Sequence, residues 1–335
     1  AIAPFTNREQ LMDALKQTSE YVSSFDNNNA LPTHGFEPIT NELKFLAIED
    51  SYLDAASFRK IATLTDTVGT MLKFLSKFDD YYPALNKRAQ EVEFSKELVK
   101  YVDDVIDKYG EVKDDASPAL REIRRQINEV KGRINQSFAS ALTHYNSLGY
   151  LDDIRETVVE NRRVLAVAAM HRRKVKGSIL GSSKTGSIAY IEPDTTMRYS
   201  RELNNYEYEE SEEIKRILKT LSSMVRPFVP MLFEFQELLT DIDVVAAKAK
   251  YAKRINGLLP TIVEEKRLYF REAFHPILFL NNKAKNQPTY PQTIELKDNN
   301  RIIVISGPNA GGKSITLKTI GLLQLMLQCL SLIHI

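Results

Sequence analysis

Close to its C-terminal end the sequence reads Gly307-Pro308-Asn309-Ala310-Gly311-Gly312-Lys313-Ser314. This is the spacing G-x-x-x-x-G-K-[ST], which cradles a polyphosphate. The residue types explain why. Glycines let the backbone approach an anion without a Cβ in the way, and successive N–H groups at a helix start bind negative charge. Lys313 is placed to reach the β- and γ-phosphates, and Ser314 to ligate Mg²⁺. These two are the candidate catalytic residues. The main chain from Gly307 through Ile315 is the candidate surface for ATP with Mg²⁺. Hydrolysis also needs a carboxylate on the metal side and a group that orients water. The 21 residues after Ser314 contain no Asp or Glu. The expectation is therefore a phosphate cradle without a complete hydrolytic site, inactive alone, in a chain that stops inside a longer protein.

A second cluster could bind rather than react. Residues 161–185 hold Arg162, Arg163, Arg172, Arg173, Lys174, Lys176 and Lys184, with no Asp or Glu. The stretch 201–215 has the opposite bias, with six glutamates against Arg201 and Lys215. Cations on a strand scaffold suit a phosphate backbone and give salt-sensitive, largely sequence-independent binding. A solvated strand face that is merely basic is the alternative. Few aromatics are interleaved, so stacking on single strands is not supported.

Elements must position both clusters. The apolar run Arg301–Ser306 predicts the strand that enters the glycine-rich loop, and Ile315–Leu327 predicts the helix that leaves it. Residues 1–115 read as a helical core with apolar positions at spacings of 3 and 4. Segment 116–158 reads as a long ascending helix, with Ser117 as its cap and Pro118 in its first turn. Segment 159–194 carries the β-type runs VLAVAA, KVKGSIL and SIAYIE, and 195–256 returns as helix. Two long antiparallel helices around a small β insertion is the economical geometry. The remainder, 257–335, is the expected opening of an α/β nucleotide domain. The fold class is α+β and multidomain: a helical core and lever, a small β clamp, and the start of a P-loop ATPase domain.

Composition narrows the classes further. With 43% hydrophobic and 27% charged residues the chain is globular. Lys plus Arg number 45 against 44 Asp plus Glu, so the molecule as a whole is no polycation and any anion binding must be local. The lone cysteine, Cys329, excludes an intramolecular disulfide and suits a reducing, cytoplasmic compartment. No apolar run is long enough to span a membrane. The five histidines have no metal-ligand spacing.

Helical core, long arm, basic β insertion, returning arm and the segment ISGPNAGGKSITLKTIGLLQLM together resemble the MutS family of DNA-repair ATPases. GSILGSSKTGSIAYIEP and RELNNYEYEESEEIKRIL are similar to its MutS-II branch in particular. The resemblance covers most of the chain, as if truncated at both ends. It implies a bacterial, homodimeric, ATP-dependent clamp on branched or recombination DNA that restrains homologous recombination, with some members acting on stalled ribosomes and their RNA. It also implies that Phe274-His275-Pro276 opens the ATPase domain and that Tyr290 lies beside adenine, although a generic hydrophobic loop fits Tyr290-Pro291 equally. The mismatch-reading Phe-x-Glu element has no counterpart here. A C-terminal nuclease domain, known in many MutS-II proteins, would lie beyond this sequence. The final LSLIHI departs from the family pattern. A non-enzymatic coiled-coil adaptor is the competing reading, against which the arm of about 30 residues is short.

Overall fold

A computed structural model describes residues 4–26, 29–307 and 312–329. The chain divides into two compact units. One comprises Ala1–Leu43, Lys60–Val99 and Phe228–Ile335, and the other Lys44–Arg59 and Lys100–Pro227. Helix and small antiparallel sheets are mixed, an α+β fold.

The N-terminal third is helical: α1 (Arg8–Ser23), α2 (Thr40–Leu46), α3 (Ala55–Lys77), α4 (Pro83–Ala89) and α5 (Glu97–Val105). In the first unit α1 packs on α8 (Val229–Arg254), with Leu15 and Ala252 buried between them. The Glu20 carboxylate accepts the Ala84 and Leu85 N–H groups at 2.8 and 2.9 Å. It thereby satisfies amides at the start of α4 that no helical carbonyl can reach.

The second unit is built on α6 (Pro118–Ser147) and α7 (Asp194–Val225). Ser117 caps α6 by accepting the Leu120 N–H, and Pro118 occupies its first turn, as the sequence predicts. The two helices run antiparallel. Ser117 donates to Glu213 at 2.6 Å, Arg124 meets Glu210 at 2.7 Å, Arg133 meets Glu202 at 3.9 Å, and Ser137 lies 3.3 Å from Thr196. Two glutamates of the acidic run of α7, Glu202 and Glu210, thus meet basic residues of α6. A Ser117 hydroxyl and the Arg216 guanidinium bonded to Glu213 hold its carboxyl down at about 2, the arginine contributing most.

Between these helices lie β1 (Leu151–Val159), β2 (Arg162–Ala168), β3 (Gly177–Ser182) and β4 (Ile188–Pro193) in the order β1-β2-β4-β3, each pair antiparallel. Leu165, Val167, Ala189 and Ile191 of one sheet face bury against Phe138 of α6. Strands β2 and β3 are parallel to each other across β4, so residues 169–176 must cross over from one end of the sheet to the other.

Two expectations need correction. The helix expected to reach residue 158 ends at Ser147. Gly149 adopts φ 68°, its N–H meets the Asn146 carbonyl, and the Tyr150 N–H meets that of Tyr145. This is the paired closure that a left-handed glycine gives a helix end. Strand β1 was hidden by its charges: Asp152, Asp153, Arg155 and Glu156 suit a sheet edge, where polar residues discourage further pairing. Conversely, Arg301–Ser306 is not in a strand, and Ile302 and Val304 are 79% and 85% exposed. An apolar run becomes a strand only beside a partner. Among the described residues none pairs with it. The antiparallel pair of β5 (Leu268–Ala273) and β6 (Gln292–Leu296) ends at Leu296, and a separate Lys297–Asn300 bridge follows it.

Candidate functional site

The glycine-rich loop begins at Gly307 and ends at Gly312, whose φ angles are 142° and 84°. Both lie in the region that side-chain-bearing residues avoid, so glycine is required at each end. Helix α10 (Lys313–Gln328) starts immediately after Gly312. Lys313 Nζ donates to the Gly307 carbonyl, so the ammonium bridges the two ends of the loop. Ser314 is exposed on the first turn. Pro308, Asn309, Ala310 and Gly311, the middle of the predicted cradle, lie outside the described residues. What is described fits a triphosphate with Mg²⁺: left-handed glycines flanking a turn, an ammonium across it, and a hydroxyl at the head of the helix.

Helix α10 is anchored firmly. Leu323 buries against Phe270 and Ala273 of β5, with Ile320 and Met326 beside it. Thr316 donates to Gln292 of β6 at 3.2 Å. Tyr290 stands two residues before Gln292 and is 78% exposed. Leu327 packs near Leu15, and the Phe5 N–H donates to the Gln328 carbonyl at 2.8 Å.

His275 caps α9 (Pro276–Ala284), its Nδ1 accepting the Leu278 N–H at a long 3.5 Å. Burial first, and the Lys318 ammonium second, push the imidazole below its ordinary pKa. The fold thus favours neutral His275. Its contribution is complete above the ordinary imidazole range, about 6.5, and is lost as pH falls through the lowered folded value. Thermal melts of the native chain should lose stability between pH 7.5 and 5.5. His275→Asn, which keeps a capping oxygen and removes the titration, should reduce that loss. An identical pH dependence in the variant would assign the effect to another group.

The seven predicted cations are not brought together. Arg162 and Arg163 open β2 and are engaged internally. Arg162 pairs at 3.1 Å with Glu192, whose side chain is 1% exposed. Arg163 pairs with Glu156 at 2.7 Å, donates to Asn135 at 3.2 Å, and lies 4.4 Å from the Phe138 ring centre. The crossover carries Arg172, Arg173, Lys174 and Lys176, all exposed, and the β3–β4 turn carries exposed Lys184. Tyr150 secures the crossover: His171 stacks on its ring at 4.7 Å and the Lys174 ammonium sits 5.3 Å from its centre. Sequence reasoning missed Glu192, Glu156 and Tyr150. The signal for the carboxylates was available only through strand register, because both lie outside the basic window.

No protein-family profile matches the chain. Curated relatives do. It is 30% identical over 333 residues to endonuclease MutS2 of Pediococcus pentosaceus, an alignment covering 98% of this chain and 41% of the relative. Endonuclease MutS2 of Leuconostoc mesenteroides is 30% identical over 337 residues, and that of Alkaliphilus oremlandii 29% over 329, with the same coverage. This chain is a relative of the endonuclease MutS2 proteins. It spans about two fifths of their length, 41% in each of these cases. The similarity to endonuclease MutS2 runs through the helical core, the sheet-bearing unit and the glycine-rich corner alike, since 98% of the chain is aligned. Among the described residues no helix is long and apolar enough to cross a membrane.

Proposed function

We propose that this chain binds ATP with Mg²⁺ at the Gly307–Ile315 corner and binds DNA through the exposed cations of its sheet. We propose further that it serves in an ATP-dependent, MutS-II-type clamp acting as a homodimer on branched or recombination DNA. The observation that carries the nucleotide reading is Lys313 spanning two left-handed glycines at the start of α10. When bound, the Mg²⁺–triphosphate supplies the electrophilic phosphorus and its counter-charge. Lys313 would exchange its carbonyl partner for phosphate oxygens, the loop amides would hold the anion, and the Ser314 hydroxyl would face the metal. Exposed Tyr290 offers a ring to the base. Equilibrium binding of AMP, ADP and ATP in Mg²⁺ tests this reading. Affinity should rise with each phosphate, and equal affinity for AMP and ATP would contradict a phosphate cradle.

The DNA reading rests on exposed cations that, among the described residues, have no carboxylate within ion-pair distance. Replacing Arg172, Arg173 and Lys174 together by Ala should weaken duplex binding and lower the slope of log K against log salt by up to about 2.7, at about 0.9 per phosphate contact. Fluorescence anisotropy across a salt series measures this. An unchanged slope would place the contact elsewhere.

A further inference from the structure

Beside the sheet, the flank of α6 and the first turns of α7 enclose an open groove of about 490 Å³, which continues into a second of about 350 Å³ over Lys176. Ser137, Ser140, Asp194 and Thr195 line both, so the two form one trough. Its charges come from three separate segments: Arg133 on α6, Lys176 at the end of the crossover, and Arg198 on α7. Asp194 is its one carboxylate lining residue.

These cations are weakly neutralised. Several arginines of this unit are paired closely, among them Arg124, Arg125, Arg162, Arg163 and Arg216. Among the described residues no carboxylate lies within ion-pair distance of Lys176 or Arg198, and Arg133 reaches Glu202 only at 3.9 Å. The Ser140 hydroxyl is spent on the Gln136 carbonyl. Concave walls focus the field of such charges. The lining positions on α6 run from Arg133 to His144, about 16 Å along the helix at 1.5 Å per residue. That is an extended trough, suited to a chain of anions. Lys176 also links it to Arg172, Arg173 and Lys174 within five residues of sequence.

We infer that this trough is a second phosphate-backbone site, which continues the DNA path from the crossover onto the helix pair. The inference rests on the DNA reading above and adds a location that the basic window of the sequence does not contain, since Arg133 and Arg198 fall outside it. The site takes the backbone of a duplex; free inorganic phosphate shares the chemistry and is the alternative the experiment separates.

The test is duplex binding by the whole chain over a salt series. Lys176→Ala with Arg198→Ala should lower the log–log slope by about 1.8, so that between 50 and 200 mM salt the native chain loses about tenfold more affinity than the variant. Asp194→Asn removes the opposing charge and should tighten binding about fivefold at low salt, a change that misfolding would not produce. Millimolar inorganic phosphate at matched ionic strength should leave duplex binding within twofold. An unchanged slope in the double variant, weaker binding by Asp194→Asn, or displacement by phosphate would each overturn the trough while leaving the crossover reading intact. Absence of duplex binding by the native chain would overturn both.

Discussion

Lys313→Ala is expected to abolish tight nucleotide binding while leaving the fold in place. Among the described residues the ammonium is what spans the loop, and its bonds to phosphate oxygens would be charge-assisted, worth about 2–3 kcal/mol. Binding should therefore fall by roughly two orders of magnitude. The fold should tolerate the change because α10 is held at its other positions, by Leu323 on the β5–β6 hairpin and by Thr316 on Gln292. Isothermal titration with Mg²⁺–ATP, alongside thermal melting, checks both halves. A variant that melts as the native chain does and still binds ATP with native affinity would remove Lys313 from the site.

The second large effect is on stability. Arg162→Ala should destabilise the sheet-bearing unit by about 3–5 kcal/mol, because it strands a carboxylate that water cannot reach. Glu192 is fully buried; its Oε2 accepts from Arg162 at 3.1 Å, and among the described residues its Oε1 has no hydrogen-bond partner. With half of that carboxylate already unsatisfied, removal of the guanidinium leaves an uncompensated charge. A fall in melting temperature on the order of 10 °C is expected. Glu192→Gln introduced into Arg162→Ala should recover most of it by removing the buried charge. If Arg162→Ala melted as the native chain does, the pair would carry no structural weight, and Arg162 would return to the set of cations available for DNA.

That pair also marks how far the sequence could be read. The seven cations of residues 161–185 are visible by inspection. What inspection cannot give is which of them are neutralised, because Glu192 and Glu156 reach Arg162 and Arg163 through strand pairing. The long helix α6 was legible from its cap to its last apolar turn, and the early stop at Ser147 was written in Gly149. Strand β1 was not, because charged edge residues mask the alternation that identifies strands. The glycine-rich corner was legible by spelling. The strand expected before it was not realised, since burial partners decide whether Ile302–Ile305 pairs, and those are a tertiary property. His275 was readable as part of a His-Pro pair, but its capping of α9 required coordinates.

The central claim is that phosphates dock where the Gly307–Gly312 turn meets α10. Amide chemical-shift mapping with Mg²⁺–ATP, and with AMP as the control, tests it most directly. The account predicts saturable shifts at Gly307, Gly312, Lys313, Ser314 and Ile315 with ATP, and much smaller ones with AMP. Saturating ATP that left those amides unmoved, or that moved only residues elsewhere, would contradict it.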